Sequence, residues 1–131
     1  MGMEESMSEY FGEPVYQYTR AQAIEDGELV DVSELAREAG VRFPVAVTRA
    51  LWEKHIVPPV KLAGCQDATG RLWDVLWLFR LAAQRGGREI RFTVLFAERS
   101  GRPPVRREVR ALCGPGDDAR PVVTLMLPDE D

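Results

Sequence analysis

Side chains able to do covalent or metal chemistry are sparse in this chain of 131 residues, which holds one histidine, His55, and two cysteines, Cys65 and Cys113. Zinc sites draw histidines, cysteines and carboxylates from closely spaced positions, and these three residues lie far apart. No metal centre and no cofactor is expected. Asp117 and Asp118 are able to offer oxygens to a hard cation, but paired acids after Gly-Pro-Gly are also ordinary turn formers, and the turn is the simpler reading. A nucleophilic site would have to unite Cys113 or Cys65 with His55 and a carboxylate such as Asp74. Cys113 closes a predicted strand, where a thiol behaves as a small hydrophobe. His55 falls near a helix C-terminus, where imidazolium also complements the dipole. Both cysteines read as free thiols, since one bridge is a thin framework for a secreted domain of this size. Phosphate chemistry lacks its loop: there is no Walker-type lysine, and the glycines of GPGDD precede a predicted strand rather than a helix.

Charge and aromatic side chains remain. Residues 1–40 hold ten acids and two bases, and residues 85–110 hold three acids and eight arginines, within a net charge of -4. The acids Glu25, Asp26, Glu28, Asp31, Glu34 and Glu38 are therefore candidate contacts for a partner protein, presenting carboxylates where a target expects phosphates. Any one of them also reads as plain helix-surface charge. Arg91, Arg106, Arg107 and Arg110 form a candidate basic face for nucleic acid. Few aromatics interleave with them, and the overall acidity opposes strong binding. Trp52, Trp73 and Trp77 are more often core than contact residues in a domain this small, although exposed tryptophan and arginine anchor interfaces. An enzyme would have to draw on an acid, Tyr16 or Tyr18, Arg20 and His55 around one cleft.

Elements must position these groups. Residues 1–14 lack apolar periodicity and read as a flexible acidic tail, leaving residues 15–131 as a single domain. Thr19 and Gln22 form a capping box for a short helix over Arg20 to Asp26, closed by Gly27. LVDV is a brief extended segment, and Ser33 a cap for a second helix ended by Gly40. FPVAVTRALWEKHI carries both strand and helix patterns. Its helical reading, from Pro44 or Thr48 to His55, is the one adopted, with a loop over 57–69 after it. GRLWDVLWLFRLAAQRGG predicts a central apolar helix over 71–85, with Arg71, Asp74, Arg80 and Gln84 as its wet positions. EIRFTVLF alternates with period two, and VRREVRALC and VVTLML follow across turn-rich links. Three successive strands with short connections predict an antiparallel meander, and the central helix lies across one of its faces. The fold class is α+β.

The segments RAQAIEDG, VDVS, GRLWDVLW, GPGDD and TLMLPDED resemble a family of uncharacterised bacterial and phage proteins, over residues 16–131. That resemblance implies passage on mobile genetic elements and supplies no catalytic residue. It points to a non-catalytic interaction protein, an inhibitor of a host defence system whose acidic surface mimics nucleic acid. The alternatives are a small enzyme acting on a nucleotide or protein, and a nucleic-acid-binding accessory factor. An acidic start, where a secretory signal is basic and then apolar, and the lack of a long apolar run predict a cytoplasmic protein.

Overall fold

Two β-branched residues around a small one, Val45-Ala46-Val47, sit at the centre of the architecture, and all three are fully buried. They belong to β2, Val45–Thr48, an interior strand of a five-stranded sheet ordered β1-β2-β5-β4-β3. The computed structural model describes residues 18–64 and 66–130. The expected tail over 1–14, Tyr16 and Cys65 lie outside the described residues.

Helix α1, Arg20–Asp26, begins as its capping box dictates: the Thr19 hydroxyl accepts from Gln22 N–H, the Gln22 side chain takes Thr19 N–H in return, and Gly27 closes the helix at φ +83°. Strand β1, Leu29–Asp31, and helix α2, Ser33–Glu38, follow. Ser33 is not the cap expected of it. Val32 holds that position, while the Ser33 hydroxyl donates to Asp31 and accepts from Val45 N–H, tying α2 to β2.

The helix expected from Pro44 or Thr48 to His55 is divided. Val45–Thr48 is a strand, antiparallel to β1 and parallel to β5. Thr48 then caps a short helix α3, Arg49–Leu51, by accepting from Leu51 N–H, and a π-helical turn over Trp52–Ile56 carries the chain on. Strand pairing decides the competition. A parallel strand with neighbours on both sides is covered on both faces, so it reads as a continuous apolar run without alternation. The loop expected over 57–69 contains a 3-10 turn at Val60–Leu62.

Helix α4, Ala68–Ala83, starts three residues earlier than expected, at the Asp67 cap, and lays Leu72, Val75, Leu76 and Phe79 on the sheet. Strand β3, Glu89–Phe96, alternates as its sequence predicts, with Ile90, Phe92, Val94 and Phe96 buried and the residues between them exposed. Strands β4, Val105–Pro115, and β5, Pro121–Met126, complete the antiparallel run β3-β4-β5. The meander is therefore present but is three-fifths of a mixed sheet, because β2 adds beside β5 and β1 beside β2. Val109, Ala111, Val123 and Leu125 share the α4 face with Val45 and Val47 in one core. Helix α1 serves the other face, where Arg20 donates to Thr124 Oγ1 and the Val123 carbonyl, each at 2.7 Å.

Gly40 turns the chain from α2 toward β2 at φ +95°, and a Cβ there would stand 2.6 Å from Arg80 Nε. Left-handed backbone costs a β-carbon-bearing residue about 1–2 kcal/mol, and Arg80 must also move aside. Gly40→Ala is expected to lower stability by about 1–2 kcal/mol, read as a fall in the urea midpoint at unchanged slope.

Candidate functional site

Arginine at position 71 falls four and eight residues before Val75 and Phe79, on the buried stripe of α4, and it is buried with them at 6% exposure. The cap makes this possible. Asp67 Oδ1 accepts Gly70 N–H at 2.7 Å, which starts the helix early enough to aim Arg71 inward. Its Nε donates to the His55 carbonyl at 2.9 Å, and Nη1 donates to Gln66 Oε1 at 2.6 Å and to the Ala97 carbonyl at 2.9 Å. The guanidinium also lies 5.0 Å from the centre of the Phe96 ring. One side chain thus joins the π-helical turn, the start of α4 and the end of β3. Expecting Arg71 at the wet surface was wrong for a physical reason. Backbone carbonyls that end regular elements need donors when buried, and a guanidinium supplies several from one side chain.

His55 is buried beside it, its ring stacked on Phe96 with centroids 5.0 Å apart and planes 8° from parallel. Burial holds its pKa below the ordinary histidine value, and the positive charges of Lys54, Arg107 and Arg71 push the same way against Glu98. Burial likewise lowers Arg71, with Glu98 and Asp74 opposing. Glu98 accepts two hydrogen bonds from Arg107, at 2.8 and 2.7 Å, which hold its carboxyl below the usual range. A cleft of about 640 Å³ opens next to this cluster, lined by Gln66, Asp67, Arg71, Trp73, Asp74 and Leu95 among others. The arginine of this cleft is engaged in holding the fold, and His55 is not among the cleft's lining residues.

Among the described residues, Cys113 and His55 do not meet to form a nucleophilic site. Cys113 N–H bonds the Arg88 carbonyl just before β3 begins, whereas His55 stacks on Phe96 where β3 ends. The Cys113 thiol is pushed up by burial, away from the reactive thiolate. Asp117 accepts the N–H groups of Arg20 and Ala21 at 2.9 and 3.0 Å, and Asp118 accepts from Arg120. Both carboxylates therefore serve α1 and the β4-β5 turn. Among the described residues, no group of three or more His, Cys, Asp or Glu is placed to hold a metal ion.

Charge separates across the sheet. Glu25 and Asp26 of α1, Glu28, Asp31 of β1, and Glu34 and Glu38 of α2 are all exposed and sit on the elements around the β1 edge. Among the described residues, three have protein partners: Asp26 accepts from the Tyr18 hydroxyl, Glu28 pairs with Arg49, and Asp31 accepts from Ser33. The four arginines lie toward the opposite edge, on β3 and β4, but do not form one face. Arg91 and Arg110 are cross-strand partners and both reach Glu89, with Glu108 also beside Arg91. Arg106 shares their side of β4 by strand alternation. Arg107 pairs in register with Val94, on the core side, and turns to Glu98.

Helix α4 also carries the groups that sequence assigned to its core. Trp73, Trp77 and Leu81 are 36%, 41% and 43% exposed, and Arg80 lies 5.2 Å over the Trp77 ring. Their spacing of four residues places them along one outward stripe. A stripe of large apolar side chains on a surface helix marks a contact surface more often than a reaction centre. No helix among the described residues is long and apolar enough to cross a membrane.

The described residues form an α+β domain built on a five-stranded mixed sheet. The chain belongs to the family of unknown function DUF6573, whose model matches residues 7–131. No curated protein and no solved structure matches it.

Two expectations follow from the buried pair. Because burial lowers the pKa of His55 in the folded state, the unfolded chain binds more protons as pH falls through the ordinary histidine value of about 6.5. Stability should fall as pH drops through that value, and His55→Phe, which retains a ring against Phe96, should flatten the dependence just below about pH 6.5. Arg71→Met leaves the His55 and Ala97 carbonyls without their donor, and should cost about 2–3 kcal/mol in urea unfolding at pH 7.5.

Proposed function

We propose that this protein is a non-catalytic interaction module whose principal contact surface is the Trp73-Trp77-Leu81 stripe of α4. The observation that carries the reading is the exposure of two tryptophans four residues apart, one of them stacked by Arg80. Tryptophan and arginine are the side chains over-represented among residues that dominate binding energy. Leaving two indoles at the surface of a small domain whose core is already filled by Leu72, Val75, Leu76 and Phe79 has no folding rationale.

The acidic edge adds a second component. Glu25, Asp26, Glu28, Asp31, Glu34 and Glu38 concentrate negative charge on α1, β1 and α2, at the far side of the sheet from the arginines. Such a field steers a basic partner and suits a host protein that handles nucleic acid, which is the role of an inhibitor carried by a mobile element. The arginine hairpin supports direct nucleic-acid binding less well, because Glu89, Glu98 and Glu108 lie within ion-pairing distance of Arg91, Arg107 and Arg110.

Capture of a host protein on the immobilised chain tests the reading. Trp73→Ala with Trp77→Ala is expected to weaken capture by at least about 30-fold, at roughly 2 kcal/mol for a central anchor. Reversal of Glu25, Asp26 and Asp31 to lysine should slow association and reduce its salt dependence. Undiminished capture by a folded tryptophan double variant sinks the assignment of the stripe.

A further inference from the structure

A second surface lies at the opposite end of the sheet from His55. There an apolar groove of about 730 Å³ opens between the link from α2 to β2 and the C-terminal half of α4, walled by Phe43, Phe79, Ile90 and Val123, with Cys113 also lining it. Phe43 is 51% exposed at its edge, an aromatic ring only half received by its own fold. Arg42 and Arg80 line the same groove. Among the described residues neither makes an ion pair, whereas Arg91, Arg107, Arg110 and Arg120 all do. Two guanidiniums without a carboxylate partner among the described residues, that of Arg80 resting over Trp77, stand beside an apolar trough and are complementary to a ligand that is apolar in the middle and anionic at its flanks.

We infer that this groove receives a segment of a partner protein in which an aromatic side chain is flanked by carboxylates. The inference rests on the reading of the chain as an interaction module and extends it to the chemistry of one partner segment. The apolar walls take the ring, and Arg42 and Arg80 take the carboxylates, with the bidentate geometry that favours arginine over lysine. The cavity falls within the range that accommodates ligands of this size. Glu34 and Glu38 on the neighbouring α2 are exposed acids, so a segment with carboxylates placed elsewhere than against the two arginines meets repulsion, which sets its register.

The probe is the peptide Ac-Glu-Glu-Tyr-Phe-Glu-Glu-NH2 carrying a fluorophore, titrated with the full chain and followed by anisotropy. Saturable binding is expected, weakened about tenfold by replacing its glutamates with glutamine and about tenfold by Arg42→Gln with Arg80→Gln in the protein. Unfolding midpoints of these variants show whether they remain folded, and Arg42→Gln alone, at an exposed position, supplies a milder loss if the double variant does not. The site is located by alkylation of Cys113 with N-ethylmaleimide in a Cys65→Ser background at pH 8.5, which saturating peptide should slow several-fold. Equal affinity for the glutamine peptide, or an unchanged alkylation rate under saturation, overturns the proposal. So does protection of Cys113 that grows with protein concentration without peptide, which assigns the groove to a second copy of the chain. If the peptide fails while capture dependent on Trp73 and Trp77 persists, the groove assignment alone falls. Loss of both removes the interaction reading itself.

Discussion

The buried guanidinium of Arg71 organises one end of the molecule. It donates to two backbone carbonyls and one side-chain amide, drawn from three stretches of chain. A cation withdrawn from water is costly unless its donors are used, so the three acceptors and the ring of Phe96 fix each other's positions through it. Helix α4 can then only begin where Asp67 caps it, β3 can only end near Ala97, and the π-helical turn must present the His55 carbonyl inward. The His55 ring stacked on Phe96 belongs to the same constraint, its pKa lowered by burial first and then by the positive charges of Lys54, Arg107 and Arg71.

Local signals in the sequence account for much of the fold. The Thr19-Gln22 box, the alternation of Ile90, Phe92, Val94 and Phe96, and the turn residues between β4 and β5 each depend on neighbours a few positions away, and each is realised. What escaped depends on distant partners. Val45–Thr48 becomes a strand because β1 and β5 flank it, and nothing within the segment announces the parallel neighbour. Arg71 looked wet because its carbonyl acceptors lie 16 and 26 positions away. The tryptophans looked buried because a helix hydrophobic on nearly every side has no obvious outward stripe, and only the position of the sheet defines one. The one legible trace of Arg71 is its four-residue spacing from Val75 and Phe79.

The candidate site follows the same division. Segment charge left open whether the acidic and the basic stretches share a face, and the sheet order sets β1 and β3, which belong to those stretches, at opposite edges. The grouping of Arg107 with Arg91, Arg106 and Arg110 did not survive strand alternation, which sends it to Glu98. Large apolar side chains face out elsewhere: on the α4 stripe, and at the groove whose two arginines make no ion pair among the described residues.

The parallel pairing of β2 with β5 has a consequence for how the chain acquires this shape. Every other strand pair joins neighbours in sequence, so β1 with β2 and β3 with β4 are able to associate early as local hairpin-like units. The seam between these two halves closes only when β5 is available, because β5 alone contacts both β2 and β4. Until then β2 exposes an unpaired edge and an apolar run. Folding is thereby made a late, long-range closure, of the kind that proceeds slowly and passes through species with sticky strand edges. During synthesis on the ribosome the two halves therefore wait for their common strand, while the tryptophan-bearing helix between them packs chiefly on β3, its neighbour in sequence.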